Sequence, residues 1–169
     1  MSLLRKNNNE DPCPDENRLG LLLSVLAGCQ SAPHGLTAEQ IAVLKEQGFR
    51  LTDEGWTLDF SNRVLFANNA GALTPKTRVV VEKLGKTLQE VGLNRARIDG
   101  HTDSNGAADY NDQLSYKRAQ SVADVLVSVG MPQANLDIRG RGERDPIADN
   151  KTAAGRAENR RVAIVISNE

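Results

Sequence analysis

Two residues of opposite charge frame the chemistry open to this chain: Arg118 and Asp103. Leu114, Val122, Val125 and Val129 recur at helical spacing, and at roughly 100° per residue Arg118 falls inside their apolar arc. A guanidinium cannot shed its proton at any physiological pH, so a buried one needs an anion, water or an open pocket beside it. Asp103 lies upstream in the loop His101-Thr102-Asp103-Ser104-Asn105-Gly106. Two readings of the pair are open. It is a structural ion pair tying loop to helix, or the two charges receive a ligand carrying one ammonium and one carboxylate. The surroundings favour the ligand. Gly106 lets the backbone approach closely, and Asp109 or Asn111 can cap the helix start, where free amides favour a carboxylate. Partly desolvated charge-assisted hydrogen bonds contribute roughly 1.5–3 kcal/mol each, enough for a modest, specific site.

The other polar candidates read as structural. His101 stands alone at a strand end, with no second histidine close by and no nucleophile with a base. A binding protein is expected, without catalytic residues, cofactor or metal. Asn159-Arg160-Arg161, between Glu158 and an apolar run, reads as a clamp within the fold and not as a nucleic-acid patch.

Elements must position the pair. Residues Asn111 to Val129 predict an amphipathic helix, stopped by Gly130 and Pro132. Trp56, Leu58 and Phe60 alternate as a first strand, and Thr74-Pro75 opens a helix with the stripe Val81, Leu84, Leu88, Val91. Arg95 to Gly100, Leu136 with Ile138, and Val162 to Ile166 supply the remaining strands. The order β-α-β-α-β-β predicts an α+β fold, a mixed sheet covered by helices on one face. Ahead of it, Thr37 and Gln40 form a capping box for a short, weakly amphipathic helix ended by Gly48. Leu44, Phe49 and Trp56 either dock a partner as an apolar patch or pack onto the domain's own core.

The 169 residues are 39% hydrophobic and 25% charged, which fits one domain and a tail. A net charge of −1 and 4% aromatic residues leave neither an electrostatic pull toward nucleic acid nor a base-stacking surface. The cysteines, Cys13 and Cys29, stand in the first thirty residues, so a structural zinc site has little support. Leu19 to Ala27 is an apolar run too short to span a bilayer but of signal-peptide length. It ends in Leu26-Ala27-Gly28-Cys29, which resembles a bacterial lipobox and makes Cys29 the acylated residue, although acidic residues outnumber Arg5, Lys6 and Arg18 in the leader. The expected division is a leader over 1–28, a lipidated tether and regulatory helix over 29–54, and a binding domain over 55–169.

Several ordered blocks share one signature: Ile98-Asp99-Gly100-His101-Thr102-Asp103, Tyr110-Asn111-Asp112-Gln113-Leu114-Ser115-Tyr116-Lys117-Arg118-Ala119, Gly140-Arg141-Gly142 and Glu158-Asn159-Arg160-Arg161-Val162. Together, over about Trp56 to Ser167, they resemble the OmpA-like C-terminal domain. The resemblance implies a βαβαββ domain that binds peptidoglycan through the meso-diaminopimelate of an uncross-linked stem peptide. By position it assigns Asp103, Gly106 and Arg118 to that ligand. It also assigns the first loop, Phe66-Ala67-Asn68-Asn69, where Asn69 brings a neutral side chain in place of the usual acid. The segment from Gly35 to Phe49, Gly55-Trp56 and Val64 to Asn69 is similar to a signalling branch of outer-membrane lipoproteins in that family. That similarity implies capture of a YfiR-like periplasmic repressor through the surface around Leu44, Phe49 and Trp56. Capture releases the diguanylate cyclase YfiN, and self-association as a homodimer is compatible with the scheme. Gln30 after Cys29 fits retention at the periplasmic face of the outer membrane. The alternative is a peptidoglycan-associated lipoprotein that only tethers the outer membrane to the wall.

Overall fold

The computed structural model describes residues 35–66 and 72–168. The leader, Cys13, Cys29 and Asn69 therefore lie outside the described residues. Helix α1 (Ala38–Glu46) starts at the expected capping box: Thr37 Oγ1 accepts from the Gln40 amide at 3.2 Å, and Gln40 Oε1 accepts from the Thr37 amide at 2.9 Å. A hairpin of β1 (Arg50–Thr52) and β2 (Gly55–Ser61) follows, then a single helical turn, α2 (Asn62–Leu65). The Thr74 hydroxyl caps α3 (Pro75–Glu90) with proline in its first turn. Next come β3 (Ala96–His101), α4 (Ala108–Ser128), β4 (Leu136–Gly142), α5 (Ala153–Asn159) and β5 (Arg161–Ile166).

The strands form a five-stranded sheet in the order β1-β2-β5-β3-β4. β3 and β4 run parallel, joined by the α4 crossover, and the other neighbours are antiparallel. This is the mixed α+β arrangement the sequence predicts, with β1, α2 and α5 in addition. Register explains which face is dry. Trp56 sits opposite Ile166, Leu58 opposite Ile164 and Phe60 opposite Val162, while Ile98 faces both Ile164 and Ile138. These side chains form one core with Val81, Leu84 and Leu88 of α3 and Ala119, Val122, Val125 and Leu126 of α4. The alternate residues carry an ion-pair lattice on the other face, where Arg97 and Arg141 meet Asp99 and Arg161 meets Asp59.

One close approach sets the seat of α4. A Cβ on Gly100 would lie 2.0 Å from the Ser115 carbonyl oxygen, so only glycine lets helix and strand touch there. Ser115 is fully buried, and its Oγ accepts the Gly142 amide at 3.0 Å, tying the helix to β4 as well. Among the described residues no helix is long and apolar enough to cross a membrane.

Leu44, Phe49 and Trp56 are 0%, 3% and 6% exposed and belong to the core. Of the two placements open from sequence, the structure takes the packed one. Gln40 Nε2 also donates to the Val91 carbonyl at 3.0 Å, fastening α1 to the end of α3.

Candidate functional site

β3 leaves the sheet through a register shift at Gly100 and His101, and the next amide, of Thr102, bonds to the Gly142 carbonyl at 2.8 Å. Asp103 then turns the chain. Its Oδ1 accepts the Asn105 amide at 3.1 Å, a local Asx turn that fixes the carboxylate. Gly106 follows with φ +99°, a left-handed conformation that favours glycine.

The expected helix caps are not formed. α4 begins three residues before the predicted start, with Ala107 as an N-cap that offers no side-chain bond. Asp109 lies in the first turn, and Asn111 lies inside the helix. Asn111 instead staples the loop. Its Nδ2 donates to the carbonyls of Asp103 (3.4 Å) and Asn105 (3.1 Å) and to the Glu143 carboxylate (2.8 Å).

Arg118 comes one helical turn after Leu114 and Ser115. It is 2% exposed, yet its side chain lines an open cleft of about 620 Å³. The guanidinium carbon lies 5.5 Å from the Phe66 ring centroid, within cation–π range. Its Nε has no hydrogen-bond partner, and among the described residues its guanidinium forms no ion pair. Burial lowers its pKa from the ordinary arginine value. Tyr110 opposes that shift, Arg160 adds to it and Asp103 opposes it. The group stays cationic, since an arginine pKa lies far above neutrality.

Asp103 lines the same cleft but pairs elsewhere. Arg160 Nη1 donates to its Oδ2 at 2.5 Å, so the Asp103–Arg118 structural ion pair allowed by the sequence is not the one formed. The cleft thus joins α2 and its C-cap (Asn62, Arg63, Phe66), the β3–α4 loop (Asp103, Asn105), α4 (Tyr110, Arg118) and Arg160. Among the described residues lining it are three arginines, Arg63, Arg118 and Arg160, and one acidic residue, Asp103. Asp103 can take a ligand ammonium, and Arg118, on the cleft wall and without an ion pair among the described residues, can take a carboxylate.

Of the predicted residues, Asp103 and Arg118 line one cleft, Gly106 follows the lining residue Asn105 in the β3–α4 loop, and Asn69 lies outside the described residues. The structure sets Leu44, Phe49 and Trp56 in the core instead. His101 is 5% exposed and lines a separate cleft on the other sheet face with Asp99, Arg141 and Arg161. Its pKa is lowered to about 3 by burial and by Arg161, Arg141 and Arg97, so it is neutral near pH 7. Among the described residues no group of three or more His, Cys, Asp or Glu could hold a metal ion.

Arg63, Tyr110 and Arg160 escaped the sequence reading. The Asn159-Arg160-Arg161 clamp is divided among three jobs. Asn159, fully buried, bonds to the backbone of Ile147 and Ala148, Arg161 pairs with Asp59 on the far face, and Arg160 enters the cleft. Consecutive residues leading into a strand project to opposite sides, and that alternation was the available signal for Arg160.

Comparison with known proteins places this geometry. The model of the OmpA family matches residues 65–160. The outer-membrane lipoprotein YfiB of Pseudomonas aeruginosa is 53% identical over 146 residues, covering 85% of this chain and 87% of that protein. Among solved structures, the cell wall anchor of the type VI secretion system from Pseudomonas aeruginosa superposes with a TM-score of 0.63 at 28% identity, covering 80% of this chain and 99% of the other. The peptidoglycan-associated lipoprotein from Burkholderia pseudomallei gives 0.54 at 26% identity, over 60% of this chain and 86% of its own.

Proposed function

This chain belongs to the OmpA family, and from that premise we propose that it is an outer-membrane lipoprotein whose cleft binds peptidoglycan through diaminopimelate. The observation that carries the reading is Arg118: a buried guanidinium with an unpartnered Nε on the wall of the cleft that also holds Asp103. Leaving such a group without its partners costs about 1–3 kcal/mol, an expense a purely structural residue would avoid. The free end of diaminopimelate in an uncross-linked stem presents a carboxylate for Arg118 and an ammonium for Asp103. Nothing in this role requires a bond to be made or broken; it is binding. Cys29 is the proposed acylation site, Gly106 lets the ligand approach the loop, and Asn69 is the proposed contact from the first loop. The boundaries 1–28, 29–54 and 55–169 remain our division into leader, tether and binding domain.

The finer reading is signalling. Identity of 53% to YfiB, over a stretch too long to be the binding domain alone, supports capture of a YfiR-like repressor and release of a YfiN-like cyclase, raising cyclic-di-GMP. In that reading Leu44, Phe49 and Trp56 reach the partner only after α1 leaves its seat. Their burial in the present state favours, as the second reading, a plain tether between outer membrane and wall.

Sedimentation of the protein with purified sacculi tests the first reading. Asp103→Asn and Arg118→Met should abolish co-sedimentation with the fold retained; unchanged sedimentation of both would sink it. A variant with α1 released should bind a YfiR-type protein that the wild type binds weakly, and failure of every such variant leaves the tether.

A further inference from the structure

Asp103 already has a partner in the cleft, and that partner is built into the chain. We propose that Arg160 is an internal competitor: its guanidinium holds the place a ligand ammonium takes on Asp103 and, once displaced, receives a second ligand carboxylate. The site therefore selects ligands with one ammonium and at least two carboxylates. This rests on the diaminopimelate reading and specifies which stem peptides satisfy it.

Three observations carry the proposal. First, Oδ1 of Asp103 is engaged by the Asn105 amide, and Arg160 occupies Oδ2. A ligand ammonium must therefore share or replace the Arg160 contact. Second, the backbone of Arg160 is held while its side chain, paired with Asp103, stays partly exposed. The Arg160 amide donates to the Arg156 carbonyl at 3.2 Å, and its carbonyl accepts the Asn62 amide at 2.8 Å. Its side chain remains 26% exposed, against 10% for Asp103, so the guanidinium has room to turn from Asp103 to another anion within the cleft without moving the backbone. Third, charge does not balance. Arg63, Arg118 and Arg160 line the cleft against Asp103 alone. A zwitterion adds no net charge, so one carboxylate on Arg118 leaves Arg160 without an anion once its own is taken. A second carboxylate supplies one.

A stem peptide ending in diaminopimelate has this pattern: a zwitterion at the free end and further carboxylates on D-glutamate and on the main-chain carbon of diaminopimelate. A lysine-type stem offers the ammonium without an adjoining carboxylate. Amidation of the main-chain carboxyls keeps the zwitterion but removes the group Arg160 would receive.

Calorimetry on the intact folded protein decides the matter with two probes, L-Ala-γ-D-Glu-diaminopimelate and the same tripeptide amidated at the D-Glu and main-chain diaminopimelate carboxyls. Wild type should bind the acidic tripeptide roughly tenfold more tightly, the low end for one charge-assisted hydrogen bond. Arg160→Gln should bind both alike and hold the amidated form at least as tightly as wild type does, because the competitor is gone. Arg160→Lys, which keeps the charge, should retain the preference. Equal affinity of wild type for the two probes overturns the proposal, as does full preference surviving in Arg160→Gln. The wild-type ratio alone decides if Arg160→Gln fails to fold. Either of those results leaves the diaminopimelate reading standing, whereas no binding of either tripeptide to wild type brings down that reading itself.

Discussion

Replacing Arg118 by methionine should make the empty protein more stable and the ligand-bound protein less so. Methionine has similar length and flexibility, suits a helix, and removes a charge that is 2% exposed with an unpartnered Nε. Relief of an unsatisfied buried group is worth about 1–3 kcal/mol. Against it stands the lost contact with the Phe66 ring, 5.5 Å away, worth about 0.5–2 kcal/mol. The balance is a gain of about 1 kcal/mol, which raises Tm by roughly 2–8 °C in a domain of this size class. Binding moves the other way. Two charge-assisted bonds to a carboxylate, about 1.5–3 kcal/mol each, make the loss roughly 10²- to 10⁴-fold. At a ligand concentration of 100 times its Kd the wild type gains about 2.7 kcal/mol from mass action, and the variant gains almost none. Thermal melts with and without the diaminopimelate tripeptide should therefore cross: the variant melts higher when empty and lower when ligand is present. An empty variant that melts well below wild type would show that Arg118 holds the fold together, and the reasoning from its orphaned nitrogen would be wrong.

Two further outcomes test the rest of the fold. Leu44→Ala, at a fully buried position, should cost about 2–5 kcal/mol in urea unfolding and speed proteolysis around α1, whereas a loss under about 1 kcal/mol would mean that α1 is not part of the core. His101 has its pKa lowered to about 3 in the folded protein against an ordinary 6.5, so between those values the unfolded chain binds the extra proton. Its contribution is constant above pH 6.5 and is lost as pH falls toward 3, at up to about 1.4 kcal/mol per pH unit. Chemical denaturation from pH 7 to 4 should show a shallower decline for His101→Gln than for wild type, and equal slopes would refute the assignment.

What the sequence made legible was whatever repeats locally. The stripes of α3 and α4 and the alternation of β2 are periodic signals, and Arg118 stands out because it interrupts one of them. β1 is three exposed residues and α5 is a seven-residue turn of helix, too short for either period to register. The first turn of α4 was missed because Ala108 to Tyr110 are exposed and add nothing to its stripe. Asn111 has the residue type of a cap, but the loop carbonyls it binds exist only in the folded turn. Arg160 is harder still. Its partner Asp103 lies 57 positions away, and the pairing depends on β5 lying beside β3. Burial of Leu44, Phe49 and Trp56 was open for the same reason, since an apolar residue beside a tether looks the same whether it packs inward or waits for a partner.

The cost of holding Arg118 without an ion pair among the described residues, its Nε unpartnered, is met by contacts that do not involve its guanidinium. Ser115, one turn earlier, touches Gly100 at backbone distance and accepts the Gly142 amide, so α4 is pinned to β3 and β4 just before the arginine. Val122, Val125 and Leu126, on the turns that follow, are buried to within 1%. Helix packing on both sides thus delivers the charge to the cleft wall whether or not an anion is present. On the facing wall, the Asx turn and the Asn111 staple fix Asp103 in the same way. Among the described residues, a ligand then has little to order on binding beyond the Arg160 side chain, which is why a few polar contacts can suffice for a specific complex. It also follows that occupancy of the cleft changes the charge around Arg160, whose carbonyl bonds to Asn62 at the start of α2. Among the described residues of the cleft, that side chain is the one whose ion pair a ligand would exchange, while the backbone around Asp103 is held by its own hydrogen bonds.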